Sequence, residues 1–328
     1  MQNIHRFQAE YKSDQMEGMA LKSELLLNKV QVAMFMKDAV DRSVDWLYLR
    51  NLLHRFIESK QTFPFAELCY LHANVFNSEN DEEELYKLMA AVELLVLAFD
   101  MFDDLEDLDN FTEPWMDIDR GEAINSSSFL YTLSLSHIHS LSSPYRSEIL
   151  GLFLEYALQA MKGQHIDLAN AVKTEKECLQ MMRWKSGSLT ALAAEAGVMF
   201  ACGKRYEEVK EYGHQVGIAG QIENDYKGLF TPHKQDRKFL KPSLALLYLQ
   251  RKFNQTSVDI LQYVHSGKDF DEYFGSIVAF KEKLLEAGVT QYLNVMKHIA
   301  LKKAETYIKK LPLPAEKLDE LLTNLIKK

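Results

Sequence analysis

The stretch LLVLAFDMFDDLEDLDN, residues 94–110, decides how this chain of 328 residues is interpreted. Its first six residues are all apolar, which predicts a helix segment buried in a protein core. Six of the eleven residues from Asp100 to Asn110 are acidic, so a dense group of carboxylates follows at the end of that segment. On a helix, Asp103 and Asp107 lie one turn apart on the same face. The stretch therefore predicts a helix that carries clustered carboxylates out of an apolar core.

Carboxylates at this spacing repel one another, by a few tenths of a kcal/mol per pair on an exposed helix and by more as water is removed. A bound cation relieves the repulsion. Mg²⁺ accepts carboxylates at helical spacing and commonly shares its remaining positions with substrate phosphates. A solvated acidic helix end is the alternative for an arbitrary acidic cluster. We predict Mg²⁺ here because the other motifs of the chain point to the same chemistry.

Composition narrows the class of protein. The chain has 38 Lys/Arg, 47 Asp/Glu and a net charge of −9, with no long basic run. This distribution argues against nucleic acid as a partner. Cys69, Cys178 and Cys202 are widely spaced, which predicts buried free thiols in a reducing cytoplasm and no zinc site. Residues 1–21 lack the apolar centre of a signal peptide, and no apolar run approaches a membrane span, so we expect a soluble cytoplasmic protein.

Helical periodicity runs through nearly the whole chain. Glycine (14) and proline (7) are scarce, and no segment between them alternates as a β-strand. Helices are predicted over residues 34–58, 65–76, 82–107, 126–139, 147–170, 174–202, 207–228 and from 243 onward, with a charged loop at 231–241. No stretch has the composition of a linker. We therefore predict one all-α domain over residues 1–328, with ten or more mostly antiparallel helices.

A second, smaller polar cluster ends another apolar helix. Gln221, Asn224, Asp225 and Gly228 fall at i, i+3, i+4 and i+7, which is one face of a helix. Between the two clusters the chain contains GQHID at 163–167 and RWKSG at 183–187. Neither fragment is informative alone, but the order of all four along the chain is.

That order resembles the trans-isoprenyl diphosphate synthases. The motifs are DDLED at 103–107, GQHID at 163–167, KSGSL at 185–189, GIAGQIEND at 217–225 and KPS at 241–243. The resemblance covers about residues 60–244 and is specific because several motifs occur in one order. Within the family, residues 99–116 and 288–292 are most similar to the ComQ-type isoprenyl transferases, which modify a tryptophan of a bacterial competence pheromone. The resemblance implies the isoprenoid-synthase fold, a helical bundle around a central cavity, and a homodimer.

The resemblance also implies residue roles. Asp103, Asp104 and Asp107 fall on the first aspartate-rich motif, which holds Mg²⁺ against an allylic isoprenyl diphosphate. Asn224 and Asp225 fall on the first two positions of the second metal motif, whose third aspartate is replaced by Gly228. This weakened motif leaves the number of Mg²⁺ ions open, because Asn is a poorer ligand than Asp.

Substrate contacts follow in the same way. Lys185 and Lys241 fall on lysines that contact the allylic diphosphate, and with Asp103 and Asp107 they make up the implied catalytic set. The polar residues implied to line the cavity are Gln164, Asp167 and Gln221. Phe99 falls where side-chain size helps to set the length of the isoprenyl chain.

Two departures concern the second substrate. Family members that use isopentenyl diphosphate have an Arg-Arg-Gly after the first motif and a Gly-Lys-x-x-Arg near the start. Here the first is TEPW at 112–115, and only Lys60 of the second survives. Charge-assisted hydrogen bonds of about 1.5–3 kcal/mol each are thereby lost, so isopentenyl diphosphate should bind poorly. An uncharged acceptor such as an indole ring needs no such contacts.

We therefore predict a Mg²⁺-dependent transferase that moves a geranyl or farnesyl group to a tryptophan of a pheromone peptide. Three alternatives stay open. A short-chain prenyl diphosphate synthase would elongate isopentenyl diphosphate. A class I terpene cyclase is disfavoured because Gly228 and Pro232 stand at metal-ligand positions. A catalytically silent regulatory subunit fits the weak second motif but not the intact first one. The base that takes the final proton is either the released diphosphate or Asp167.

Overall fold

Helices form nearly all of the regular structure in this protein. The structure, a computed structural model, describes residues 28–77, 79–108, 110–231 and 241–327, without the side chain of residue 265. Fifteen α-helices and one π-helical turn lie in these ranges, and no β-strand does. The predicted all-α class with ten or more helices is confirmed. The expectation about residues 1–21 and most of the predicted loop at 231–241, including Pro232, lie outside the described residues, so the single domain over 1–328 stays a prediction.

The helices are numbered in chain order. Their bounds are α1 Lys29–Ser43, α2 Leu47–Ser59, α3 Pro64–Phe76, α4 Glu82–Asp107, α5 Arg120–His139, α6 Arg146–Leu168, α7 Glu175–Met182, the π turn Arg183–Gly187, α8 Ser188–Cys202, α9 Glu207–Gly228, α10 Leu244–Leu249, α11 Gln255–Ser266, α12 Phe270–Phe274, α13 Ile277–Ala287, α14 Val289–Ile308 and α15 Ala315–Leu325. Among the described helices, none is both long and apolar enough to pass through a bilayer.

Helix α4 is the central helix of the bundle. Asp81 caps its N-terminus by accepting a hydrogen bond from the backbone N–H of Glu84. Every residue from Leu88 to Ala98 is buried, as expected of a helix with neighbours on all sides. The helix ends where Leu108 takes a left-handed conformation, with φ of 50°. The carboxylates of the last two turns of α4 therefore stand at the edge of the core.

The helices differ from the prediction in three places. The single helix predicted over 34–58 is two helices, α1 and α2, because the backbone of Val44 and Trp46 is extended. α5 begins at Arg120 instead of residue 126, because the Asp119 side chain caps it by accepting from the backbone N–H groups of Gly121 and Glu122. The helix predicted over 174–202 is interrupted by the π turn at Arg183–Gly187. Such turns are rare in proteins, and those that occur are frequently found at functional sites. This one carries Lys185.

Small residues allow α9 to approach the π turn closely. A Cβ atom on Gly217 would lie 2.6 Å from the Cα atom of Gly187, which is too close for any side chain. The contact holds the first part of α9 against the π turn. The polar end of α9, which carries Gln221 and Asp225, is thereby brought beside Ser186.

The three cysteines carry free thiols, as predicted. Cys69 and Cys178 are buried, and Cys202 is partly exposed.

Candidate active site

Two carboxylates of α4 meet two lysines from distant parts of the chain. The Nζ atom of Lys185, on the π turn, lies 2.9 Å from Asp103 Oδ1 and 3.0 Å from Asp167 Oδ2. The Nζ atom of Lys241 lies 2.6 Å from Asp107 Oδ1 and 3.9 Å from Asp167 Oδ2. Asp167, near the end of α6, therefore joins the two lysines. We call these five residues the acid–lysine cluster, and all five were candidates from the sequence.

The electrostatics of the cluster keep Lys185 charged. Burial of Lys185 disfavours its charge, but the carboxylates of Asp103 and Asp167 outweigh this effect and raise the pKa of the ammonium group. The cluster thus presents both signs of charge at one place. Its carboxylates can hold a cation and its lysines can hold the oxygens of an anion.

Asp103 and Asp107 are the residues best arranged to hold a divalent metal. They offer hard oxygen ligands one helical turn apart on α4. Within the described residues, no three acidic, histidine or cysteine side chains converge as a preformed metal site. Mg²⁺, however, is commonly held by one or two carboxylates when substrate phosphates and water supply the other oxygens. The two carboxylates therefore fit a metal ion that binds together with a diphosphate.

Asp104 has different partners from its neighbours. Its Oδ2 atom accepts hydrogen bonds from Trp115 Nε1 at 2.9 Å and from Asn110 Nδ2 at 3.3 Å. Burial raises the pKa of Asp104 to about 7, although these two hydrogen bonds act in the opposite direction. Asp104 thus ties the end of α4 to the connection that follows it. The sequence did not identify Trp115 as a partner for Asp104, because a contact across this irregular connection leaves no periodic signal.

The second polar cluster is linked to the first through the π turn. Ser186 Oγ donates to Gln221 Oε1, and Gln221 Nε2 donates to Asp225 Oδ1 at 2.7 Å. The carboxylates of Asp225 and Asp167 add to the effect of burial in raising the pKa of the Cys178 thiol, so both acids act on one buried group. Asn224, the other predicted ligand on α9, is exposed.

Two further candidates, Gln164 and Phe99, contact side chains of neighbouring helices. Gln164 Nε2 donates to Glu106 Oε2 at 2.9 Å, which connects α6 to the acidic end of α4. The Phe99 ring lies 6.5 Å from the ring of Phe102 and 6.0 Å from the ring of Tyr131 on α5. These three rings form an aromatic wall between α4 and α5, and Phe99 lies one helical turn before Asp103. Tyr131 was not predicted, since it comes from a helix whose position beside α4 only the fold reveals.

Lys60 lies apart from the acid–lysine cluster and already has acidic partners. Its Nζ atom is 3.2 Å from Oε2 of the fully buried Glu93 and 3.8 Å from Asp100 Oδ2. Burial disfavours the charge of Lys60, but Glu93 and Asp100 together raise its pKa. Beside Lys60 is a cleft of about 310 Å³. The residues that line it are Ser59, Lys60, Gln61, Thr62, Leu97, Asp100, Asp103, Asp104, Asn110, Glu113 and Trp115.

Comparison with solved structures defines the fold. The polyprenyl synthetase from Streptomyces coelicolor A3(2) superimposes with a TM-score of 0.76 at 18% identity, covering 90% of this chain and 96% of that chain. A polyprenyl synthase from Caulobacter crescentus CB15, solved with calcium and isoprenyl diphosphate, superimposes with a TM-score of 0.73 at 18% identity, covering 91% of this chain and 94% of that chain. The protein has the isoprenoid-synthase fold.

Sequence relatives define the family. The polyprenyl synthetase family profile matches residues 55–264. Tryptophan prenyltransferase ComQ of Bacillus subtilis subsp. natto (strain BEST195) is 38% identical over 310 residues, which is 94% of this chain and 96% of the relative. The same enzyme of Bacillus subtilis (strain 168) is 42% identical over 285 residues, which is 86% of this chain and 93% of the relative. A short chain isoprenyl diphosphate synthase of Methanocaldococcus jannaschii is 26% identical over 227 residues, which is 66% of this chain and 67% of the relative. The chain belongs to the polyprenyl synthetase family.

The geometry of the π turn makes a prediction about Gly163. A Cβ atom at this position of α6 would lie 2.3 Å from the backbone N of Lys185, so the π turn would have to move. We expect Gly163→Ala to lower the free energy of unfolding by about 1–3 kcal/mol and kcat/KM for prenyl transfer by roughly tenfold or more. Chemical denaturation and steady-state kinetics measure the two effects.

Gly151, on the same helix, is the matched control. A Cβ atom there would meet nothing within 4 Å. Gly151→Ala should leave activity unchanged and stabilise the protein by up to about 1 kcal/mol, because alanine has the higher helix propensity. If both variants behaved alike, the packing of Gly163 against Lys185 would not position that lysine.

Proposed function

We propose that this protein transfers a geranyl or farnesyl group from an allylic diphosphate to a tryptophan of a competence pheromone peptide. One observation carries the proposal. The acid–lysine cluster suited to one diphosphate is intact, whereas Lys60, the remaining cation of the second-diphosphate motif, is paired with Glu93 and Asp100. The site therefore favours one diphosphate substrate and an acceptor without a diphosphate. The 38% and 42% identity to tryptophan prenyltransferases supports the same acceptor.

The allylic diphosphate binds at the acid–lysine cluster. Lys185 turns from Asp103, and Lys241 from Asp107, to the phosphate oxygens, which their charge and their three N–H donors suit. Asp167 keeps both ammonium groups oriented toward the same place. Asp103 and Asp107 would hold Mg²⁺, with Asp104, Asn224 and Asp225 as the further predicted ligands. When bound, Mg²⁺ acts as a Lewis acid that stabilises the charge developing on the leaving diphosphate.

The isoprenyl chain lies along the aromatic wall of Phe99, Phe102 and Tyr131. Apolar side chains there exclude water from the allylic carbon, which prevents hydrolysis as its bond to oxygen weakens. A carbon of the electron-rich indole ring forms a bond to the allylic carbon, and diphosphate leaves with the electron pair of the broken C–O bond. The indole then loses one proton. Because the Asp167 carboxylate is engaged by both lysines, the released diphosphate is the favoured base.

The short-chain prenyl diphosphate synthase is the second candidate, favoured by the retention of Lys60. It would need that lysine to grip a second diphosphate, yet Glu93 and Asp100 lie within 3.8 Å of the Lys60 Nζ atom. A silent regulatory subunit has no need of the charged, ordered cluster around Asp167.

We also propose a cytoplasmic homodimer. On α6 the side chains of Leu154, Leu158 and Met161 are 44%, 70% and 40% exposed, and they follow one helix face at i, i+4 and i+7. An exposed apolar stripe of this kind suits burial against a second copy. Sedimentation as a monomer at micromolar concentration would contradict the dimer.

Co-expression with a short tryptophan-containing peptide encoded beside the gene tests the proposed function. Mass spectrometry should find the mass of an isoprenyl group added at the tryptophan, and the Asp103→Ala variant should leave the peptide unmodified. An unmodified tryptophan with the wild-type protein, despite supplied geranyl and farnesyl diphosphates, would refute the proposed acceptor.

A further inference from the structure

The cleft beside Lys60 has an unusual balance of charge. Among the described residues, its lining includes four acidic side chains, those of Asp100, Asp103, Asp104 and Glu113, and one ammonium group, that of Lys60. That ammonium group is already close to Glu93 and Asp100. Glu113 adds to the effects that raise the pKa of Lys60, so its carboxylate also acts on this lysine. The acidic groups therefore outnumber the cationic groups among the described residues that line the cleft.

The position of the cleft suits the acceptor. It shares Asp103 with the acid–lysine cluster, so a group in the cleft lies next to the place where the allylic diphosphate binds. Leu97 and Trp115 supply apolar lining, while Ser59, Gln61 and Thr62 supply polar groups. Its volume of about 310 Å³ falls at the lower end of the usual range for small-molecule sites, roughly 300–1,000 Å³. A tryptophan side chain with part of its flanking backbone is of this order of size.

The four carboxylates are not equivalent once substrate is bound. Asp103 faces Lys185 and, under the proposed function, a metal ion. Asp104 is held by Trp115 and Asn110. Asp100, whose side chain is 55% exposed, and Glu113 remain as the acids with the most freedom to act on an incoming acceptor.

We propose that Asp100 and Glu113 are specificity-determining residues that select the acceptor by charge. They disfavour an anionic acceptor, such as one with its own diphosphate, and favour a peptide with a basic residue next to its tryptophan. Like charges placed together at an interface suppress the wrong partner, and opposite charges favour the right one. The inference rests on the proposed function, since it concerns how that same site chooses its acceptor.

Three peptides that differ only in the residue before the tryptophan, Lys, Gln or Glu, test the inference. For each, kcat/KM is measured with wild-type protein, Asp100→Asn and Asp100→Lys at low ionic strength. The wild type should prefer the Lys peptide over the Glu peptide by roughly three- to tenfold, the scale of a partly exposed charge pair. Asp100→Asn should reduce this ratio about threefold, and Asp100→Lys should bring it to one or reverse it. Added salt should shrink the wild-type preference.

Two controls keep the outcomes distinct. The Gln peptide serves as the reference within each variant, so a partial loss of folding cancels from the ratio. Asp117→Asn changes a neighbouring carboxylate that is 73% exposed and does not line the cleft, and it should leave the ratio at the wild-type value. If the ratio of kcat/KM for the Lys and Glu peptides is the same in wild type, Asp100→Asn and Asp100→Lys, selection of the acceptor by charge is overturned. The proposed function is unaffected by that result. Failure of the wild type to modify any of the three peptides would instead overturn the proposed function.

Discussion

Replacing Asp103 with alanine should reduce kcat/KM for prenyl transfer by about a thousandfold or more, the scale seen when a group that stabilises transition-state charge is removed. Asp107→Ala should act in the same way, because both carboxylates belong to the α4 face that meets Lys185 and Lys241. The Asp103 side chain is 43% exposed, so its replacement should change the free energy of unfolding by about 1 kcal/mol or less. Asp107→Ala should cost more stability, because its side chain is only 5% exposed beside Lys241.

Glu83 provides the control for this pair. It lies in the first turn of the same helix, with a side chain that is 70% exposed, and Glu83→Ala should retain wild-type activity. Prenyl transfer by Asp103→Ala at the wild-type rate, in a protein with an unchanged melting temperature, would rule out a role for this carboxylate in catalysis.

Lys185→Gln should weaken the binding of the allylic diphosphate and strengthen the binding of Mg²⁺ alone. The affinity for the allylic diphosphate with Mg²⁺ present should fall roughly ten- to a hundredfold, because a charge-assisted hydrogen bond of about 1.5–3 kcal/mol is lost. The affinity for Mg²⁺ alone should instead rise, because Lys185 no longer occupies Asp103 at 2.9 Å. Titration calorimetry of each component separates the two effects.

The exposed Lys176, on α7 of the same continuous run of helix, is the matched control for Lys185. Lys176→Gln should leave both affinities unchanged. If Lys185→Gln weakened the binding of Mg²⁺ alone as well, then the lysine would not compete with the metal for the carboxylates, and the proposed exchange of partners would be wrong.

Much of the fold follows directly from the sequence. The apolar run at 94–99 predicted a buried helix, and α4 is buried on all sides from Leu88 to Ala98. Scarce glycine and proline predicted long uninterrupted helices, and α4, α6 and α9 span 26, 23 and 22 residues. These features were predictable because they depend on local periodicity and on the burial of one kind of side chain.

The π turn was not predictable in the same way. The sequence around Lys185 continues a helical pattern, and nothing local marks the extra residue that a π turn accommodates. Its cause lies in another helix, where the missing side chain of Gly163 leaves room for the backbone of Lys185. A feature that depends on two segments in contact becomes visible only when both are in place.

The candidate site shows the same division. The order of the motifs identified the five members of the acid–lysine cluster, because the resemblance implies which residues bind the diphosphate and its metal ion. It did not identify Glu93 or Trp115, whose roles arise from contacts with Lys60 and Asp104. Nor did it show that Lys60 is paired with acids beside the cleft, because the partners of a lysine depend on the acids that the fold places around it.

The central claim is that the acceptor is a tryptophan and not a second diphosphate. The most direct test offers both acceptors to the purified protein at once. The protein receives geranyl or farnesyl diphosphate with Mg²⁺, together with equimolar amounts of isopentenyl diphosphate and of a tryptophan-containing peptide encoded beside the gene. Mass spectrometry then identifies all products. We predict a peptide that carries the isoprenyl group on its tryptophan, with little elongated diphosphate. Efficient formation of the elongated diphosphate, with the peptide unmodified, would contradict the account.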